Sequence, residues 1–304
     1  NLAMALALMG WISFYLGIAG FSLATLLGLP GWLGTLLLVG SLLFLNRLGL
    51  NRWNALVWVT TISALGAAVV ALILVGPEPG PAATPGFGLT QLIWGLGSVI
   101  AYSIVFAVRC SDFSWDLATD ADVIKDGIAF LIPLLILLGV GVLLYQTTGD
   151  WNLADILART PSAGLGHIFL VLSVISPVLS NFHSSALTLE SLISLKKRYA
   201  VLLVGAVGFI LGAARFDQQL LGFLDLLGAI LPPALVVLLV TALLPHKAPK
   251  SAALIAWLVG SLAALMFKLQ GYSFHLVVGA IVSFAALHLM IRLSSRFELS
   301  DAGS

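Results

Sequence analysis

Long apolar runs recur down the chain, each about as long as a hydrocarbon layer is thick and each closed by Pro, Gly or charged residues. A membrane span takes roughly 20 consecutive apolar residues. On that measure the sequence predicts ten helices, at 4–27, 31–46, 53–76, 88–109, 127–146, 164–194, 199–214, 218–244, 251–268 and 273–293. The second is short and opens on Gly31-Trp32 after Leu29-Pro30, which predicts a tilted or partly buried segment. The sixth runs to about 31 residues and, at roughly 1.5 Å each, exceeds the hydrocarbon thickness, so it is expected to tilt or break. GPEPGPAATPG, over 76–86, cannot be regular structure. DWNLADILARTPSAGLG predicts a short surface helix leading through Pro161 and Gly164 into the sixth segment.

Composition agrees with a bilayer. The hydrophobic fraction is 60% and only 9% of residues are charged, with a mean hydropathy of +1.11, values far from those of a soluble domain. The single cysteine, Cys110, rules out an intramolecular disulfide and a Cys-based metal cluster. A net charge of +1 without a basic stripe argues against a nucleic-acid partner. Asn1, followed at once by apolar residues without a signal-peptide pattern, suggests that the chain begins inside a longer protein.

Charge also predicts orientation, because Lys and Arg are retained on the cytoplasmic side. Threaded through ten helices, Arg47, Arg52, Arg109, Lys125, Lys196, Lys197, Arg198, Lys247, Lys250, Arg292 and Arg296 share one side, and Arg159, Arg215 and Lys268 the other; these are all fourteen basic residues. The first helix is therefore expected to run outward and the C-terminus, including the tail 294–304, to be cytoplasmic. The loop SDFSWDLATDADVIKDG carries Asp112, Asp116, Asp120, Asp122 and Asp126 beside Lys125. It reads as a solvated loop with helix-capping aspartates, with a metal site as the alternative.

The most polar departure from this background is SVISPVLSNFHSSALTLE, Ser173 to Glu190, inside the sixth segment. Unpartnered polar groups in hydrocarbon cost several kcal/mol, so these side chains need helix or ligand contacts. Pro177 removes a backbone donor and frees a carbonyl one turn earlier, beside Ser173 and Ser176. Asn181 can donate and accept together, as the edge of a pyrimidine or purine requires. His183 is either a partnered structural histidine or a proton carrier. Glu190 is expected to pair with the Lys196–Arg198 cluster. Asp225, the acidic residue well inside the eighth segment, is either a functional carboxylate or one half of a pair with a cation such as Arg215. Pro232-Pro233 should kink that helix and suit it to gating. His275 and His288 read as structural. An intramembrane enzyme is not expected, since HExxH and a Ser/His pair at productive spacing are missing.

Four stretches resemble the nucleobase/cation symporter-1 family, the purine-cytosine permeases. SNFHSSALTLESL resembles the family's eighth-helix region, and FLDLLGAILPPALVV its tenth helix with a double proline. GSVIAYSIVFAVRCSDF resembles the sixth, with an Asp just past its cytoplasmic end, and MGWISFYLG the Gly-Trp start of the third. The resemblance covers nearly the whole chain and implies an all-α integral membrane protein whose ten transmembrane helices match helices three to twelve of the leucine-transporter-type inverted-repeat fold. Residues 1–76 would then be the remainder of the first repeat, 88–244 the five helices of the second, and 251–293 two C-terminal helices. Such folds hold substrate and ion near the midplane beside unwound helices.

Carried onto this sequence, the resemblance implies substrate stacking on Trp11, with Tyr15 one turn later where the family often has an amide, and substrate contact by Asn181 and His183. On the fourth helix the register stays open between Ser98 with Val99 and Tyr102 with Ser103. Ser173 and Ser176 would supply oxygen to sodium, while Pro177 stands where the family has a further hydroxyl; proton coupling is the alternative. Trp115 occupies the place of a family arginine after Asp112, which puts an internal gating pair there in doubt. Asp225, Pro232 and Pro233 would act in gating. The implied function is a cation-coupled symporter for nucleobases or related planar heterocycles such as cytosine, in the cell membrane, with no cofactor beyond the coupling ion. The alternatives are a transporter of the same fold for an amino acid or organic amine, and a truncated, non-transporting membrane protein.

Overall fold

The computed structural model describes residues 2–47, 53–76, 88–108, 119–160, 163–193, 195–243, 249–272 and 274–301. The described chain is all-helical. Its helices are α1 Leu2–Leu27, α2 Gly31–Arg47, α3 Trp53–Val75, α4 Leu89–Val108, α5 Asp120–Thr148, α6 Leu153–Ala158, α7 Gly164–Ser173, α8 Ile175–Ile193, α9 Lys197–Ala213, α10 Leu220–Leu243, α11 Lys250–Leu269 and α12 His275–Asp301, with a 3-10 turn at Phe216–Gln219 before α10. Seven described segments are long and apolar enough to cross a membrane, α7 and α8 counting as one, which fits a multi-pass membrane protein. Ten were expected. Gly31–Arg47 is apolar but shorter, α4 has 20 residues but several of its side chains lie outside the described set, and α9 has 17 residues, about 26 Å of helix against a layer of about 30 Å.

Several boundaries move for identifiable reasons. α5 begins at Asp120 rather than 127, because the Thr119 hydroxyl accepts from the Asp122 N–H at 3.2 Å and donates to its carboxylate at 2.8 Å, a reciprocal cap. It ends where Gly149 takes a left-handed φ of 69° and its N–H returns to the Tyr145 carbonyl. Capping is thus the role of Asp122; Asp112, Asp116 and the Asp126 side chain lie outside the described residues, as do Cys110 and Trp115. The last helix continues to Asp301 instead of stopping near 293. The expected surface helix forms as α6, with its Ala154, Ile156 and Leu157 buried.

The chain divides into two compact units, residues 1–84 with 114–220 and residues 85–113 with 221–304. In the first, α1 is the central helix: two-thirds of its most apolar stretch is buried inside the protein, against 6% for α5. Ile12, Leu16 and Ala19 of α1 meet Leu38 and Leu42 of α2, Val178 and Phe182 of α8, and Val204 of α9 in one core. A second core joins α1, α3, α5, α6 and α7 through Ile18, Ala67, Leu144, Leu157 and Leu170. Small residues set the spacing. A Cβ on Gly34 would overlap the Gly20 carbonyl and Ala24, so α1 and α2 cross nearly backbone to backbone.

In the second unit, α11 and α12 pair along a stripe of small residues, Ala252, Ala256, Gly260 and Ala264, all buried. Ser283 of α12 fills the space a Cβ on Gly260 would need and donates to the Ala256 carbonyl at 2.8 Å. Pro232 and Pro233 are buried inside α10. Their missing donors interrupt the helical ladder, and the neighbouring Ile230 carbonyl accepts from Trp257 Nε1 at 3.0 Å.

Candidate functional site: a broken helix and a buried ionic cluster

The sixth apolar segment breaks where its proline requires. The helix stops at Ser173, Val174 turns with φ −94° and ψ −7°, and helix resumes at Ile175. Pro177 has no N–H to offer the carbonyl four residues back, that of Ser173, so the ladder lapses there. The Ser176 N–H points instead to the Thr60 hydroxyl of α3, at 3.2 Å. Ser173 Oγ donates to the Leu170 carbonyl at 2.7 Å, the back-bonding usual for a helical serine, and keeps its lone pairs as acceptors. It also borders a half-open cleft of about 230 Å³ between α3, α5, α6 and α7, otherwise lined by Ala, Leu, Val, Gly, Ile and Trp151.

α8 sorts its residues by helical period. Val178, Phe182, Ala186 and Leu189 enter the core, and Ser176, Asn181, Ser184 and Ser185 are buried with them. The Ser185 hydroxyl is sealed without a hydrogen-bond partner among the described residues. His183, about 200° around the helix from Asn181, is exposed, with Nδ1 3.3 Å from Lys197 Nζ. One pocket cannot readily take both Asn181 and His183 from the same helix. Glu190 is exposed and, contrary to expectation, makes no ion pair with Lys196, Lys197 or Arg198 among the described residues; Lys197 turns to His183 and Arg198 to Tyr199. On α1, Trp11 is buried, its ring 5.9 Å from Tyr15 at a 32° tilt and edge-on to Phe14 at 5.6 Å. Tyr15 borders the same core as Phe182.

No protein-family model matches this chain, and no curated protein matches it. The functional reading therefore rests on the residues themselves.

The remaining anticipated residues lie in the second unit. Val99 and Ser103 share an exposed face of α4, Tyr102 is half-buried, and the Ser98 side chain lies outside the described set. Asp225 faces Lys268 at 3.8 Å, each about a quarter exposed. Of the two readings the sequence left open, this is the pair with a cation, the cation being Lys268 where Arg215 was named as an example.

Arg215 is engaged elsewhere, in a cluster the sequence reading missed. Its Nε and Nη2 donate to Asp217, the shortest contact being 2.9 Å, and its Nη2 to Asp155 of α6 at 2.9 Å. Asp217 is fully buried and accepts a further bond from Asn152 Nδ2 at 2.8 Å, while Asn152 Oδ1 caps α6. The guanidinium lies 4.1 Å over the Phe21 ring of α1. Burial works against the Arg215 charge, but the two carboxylates outweigh it and hold the pKa above its ordinary value. The backbone at Arg215 is left-handed, φ 58°, a strain these contacts must offset. Glycine at 17 is what admits Asp217, since a Cβ there would stand 2.5 Å from Oδ1. Arg215 and Asp217 two apart, just after a helix, was the available signal; Asn152 and Asp155 lie far off in sequence.

Proposed function

We propose that the protein is a secondary transporter that moves a small planar nitrogen heterocycle, a nucleobase or close relative, with a coupling cation by alternating access. The observation that carries this reading is the interruption of one 30-residue apolar span, Gly164–Ile193, at Ser173–Ile175. A lapse in the backbone ladder within a span leaves a carbonyl and nearby hydroxyl groups that an unbroken helix keeps to itself. Asn181 supplies the paired donor and acceptor for a heterocycle edge, and Trp11 with Tyr15 the aromatic surface. Ser173 and Ser176 are hydroxyl oxygens for a hard cation; His183 is the alternative for a proton, and Asp225, Pro232 and Pro233 act in gating. The leucine-transporter-type arrangement, a cell-membrane location and a cytoplasmic C-terminus belong to this proposal.

Uptake of radiolabelled cytosine, uracil, hypoxanthine, leucine and choline by cells expressing the chain tests it. Heterocycle accumulation dependent on a sodium or proton gradient, lost in Asn181→Ala, is expected. Accumulation of leucine or choline alone moves the cargo to the amino acid or amine class, and uptake of none at wild-type expression refutes the reading.

A further inference from the structure

We propose that the outer surface where α8 turns into α9 binds the headgroup of an anionic phospholipid. Helical spacing puts His183, Leu187 and Glu190 on one stripe of α8, at i, i+4 and i+7. All three are exposed, whereas Ser184, Ser185, Ala186 and Leu189 between them are buried. The stripe lies on the opposite side of α8 from Asn181, so this surface is separate from the substrate contact proposed there.

Three consecutive cations, the exposed Lys196, Lys197 and Arg198, stand beside the stripe at the start of α9. Lys197 turns back along α8: its Nζ lies 3.3 Å from His183 Nδ1, although α8 runs on to Ile193, about 15 Å of helix further. An ammonium group only donates, so Nδ1 is the acceptor and Nε2 carries the imidazole hydrogen. The Arg198 guanidinium lies 4.5 Å over the Tyr199 ring, with Nη2 donating to its own neighbour's hydroxyl at 2.7 Å. Imidazole, ring and hydroxyl are neutral partners and leave both charges in place. None of the three cations forms an ion pair among the described residues, even with Glu190 on the same stripe. The surface therefore sets three positive charges against one negative, and its complement is an anion.

Apolar side chains decide which anion. Leu187, Ile193, Tyr199 and Leu202 are exposed around the cations, and α8 and α9 both belong to the apolar runs of a multi-pass membrane protein. A soluble anion would meet the cations alone. A phospholipid brings its phosphate to the cations and its own acyl chains to the leucines, with Tyr199 amphipathic at the boundary.

The test is native mass spectrometry of the purified full chain, titrated with dioleoylphosphatidylglycerol and separately with dioleoylphosphatidylcholine, independent of any uptake. Tighter binding of the anionic lipid is expected. Lys197→Gln with Arg198→Gln should weaken it about fivefold for each cation removed. Lys125→Gln with Lys250→Gln removes the same charge from exposed positions on α5 and α11 and should leave the preference intact. Glu190→Gln takes away the acid on the stripe and should tighten binding. These side chains are all exposed, so each variant should elute from gel filtration as wild type does. Equal affinity for the two lipids, a preference that survives K197Q/R198Q, the same loss in K125Q/K250Q, or weaker binding by E190Q overturns the proposal. Displacement of the lipid by an equal concentration of inorganic phosphate overturns the assignment to a lipid.

Discussion

Replacing Arg215 with Ala strands the Asp217 carboxylate. The substitution removes every guanidinium contact to Asp217 and the one to Asp155, and leaves Asp217, fully buried, with the Asn152 amide at 2.8 Å. Breaking a buried ion pair from one side costs about 3–5 kcal/mol. Arg215 is 22% exposed, so water partly screens the pair and about 3 kcal/mol is the better expectation. The left-handed backbone at 215 costs about 1 kcal/mol or more with any side chain other than Gly, so it burdens Arg and Ala alike and cancels between them. Arg215→Gly therefore removes the charge and relieves the strain, and the gap between the Gly and Ala variants isolates the backbone contribution. Asp217→Asn in the Arg215→Ala background removes the stranded charge and should recover much of the loss. The assay is thermal unfolding of purified protein in nanodiscs, followed by monodispersity on gel filtration. An R215A protein as heat-stable as wild type, or no recovery on adding D217N, would refute the assignment of Arg215 as the neutralising partner of Asp217.

Two further outcomes follow from the helix contacts. Thr60→Val removes the hydroxyl that takes the Ser176 N–H at the break; an unsatisfied buried donor costs about 1–3 kcal/mol, and faster amide exchange confined to residues near Ser176 is the expected reading by hydrogen-exchange mass spectrometry. Gly260→Leu forces a side chain into the volume held by Ser283 and the Gly279 carbonyl, so α11 and α12 must separate; a disulfide probe pairing cysteines placed at 256 and 283 should cross-link in the parent and not in this variant.

The all-helical class and most of the helix placements were legible because each depends on a run of neighbouring residues, and hydropathy is a local property. The break in the sixth segment was legible for the same reason: its length and Pro177 lie within a few residues of one another. The start of α5 was misplaced because capping by Thr119 and Asp122 lets a helix run several residues beyond its apolar stretch. For Asp225 the sequence left a functional carboxylate and a pair with some cation both open, since linear proximity to one end of a span does not say which cation faces it across helices; the one that does is Lys268. The Asp217 cluster, drawn from α1, α6 and the turn before α10, left almost no local mark. Sequence by itself determined a membrane-embedded helical chain and the position of its polar break, because solvent preference and a missing N–H act wherever the residue sits. Tertiary structure alone decided that Asp217 is buried against Gly17, Asn152 and Arg215, because neutralising a charge requires groups to converge in space whatever their separation along the chain.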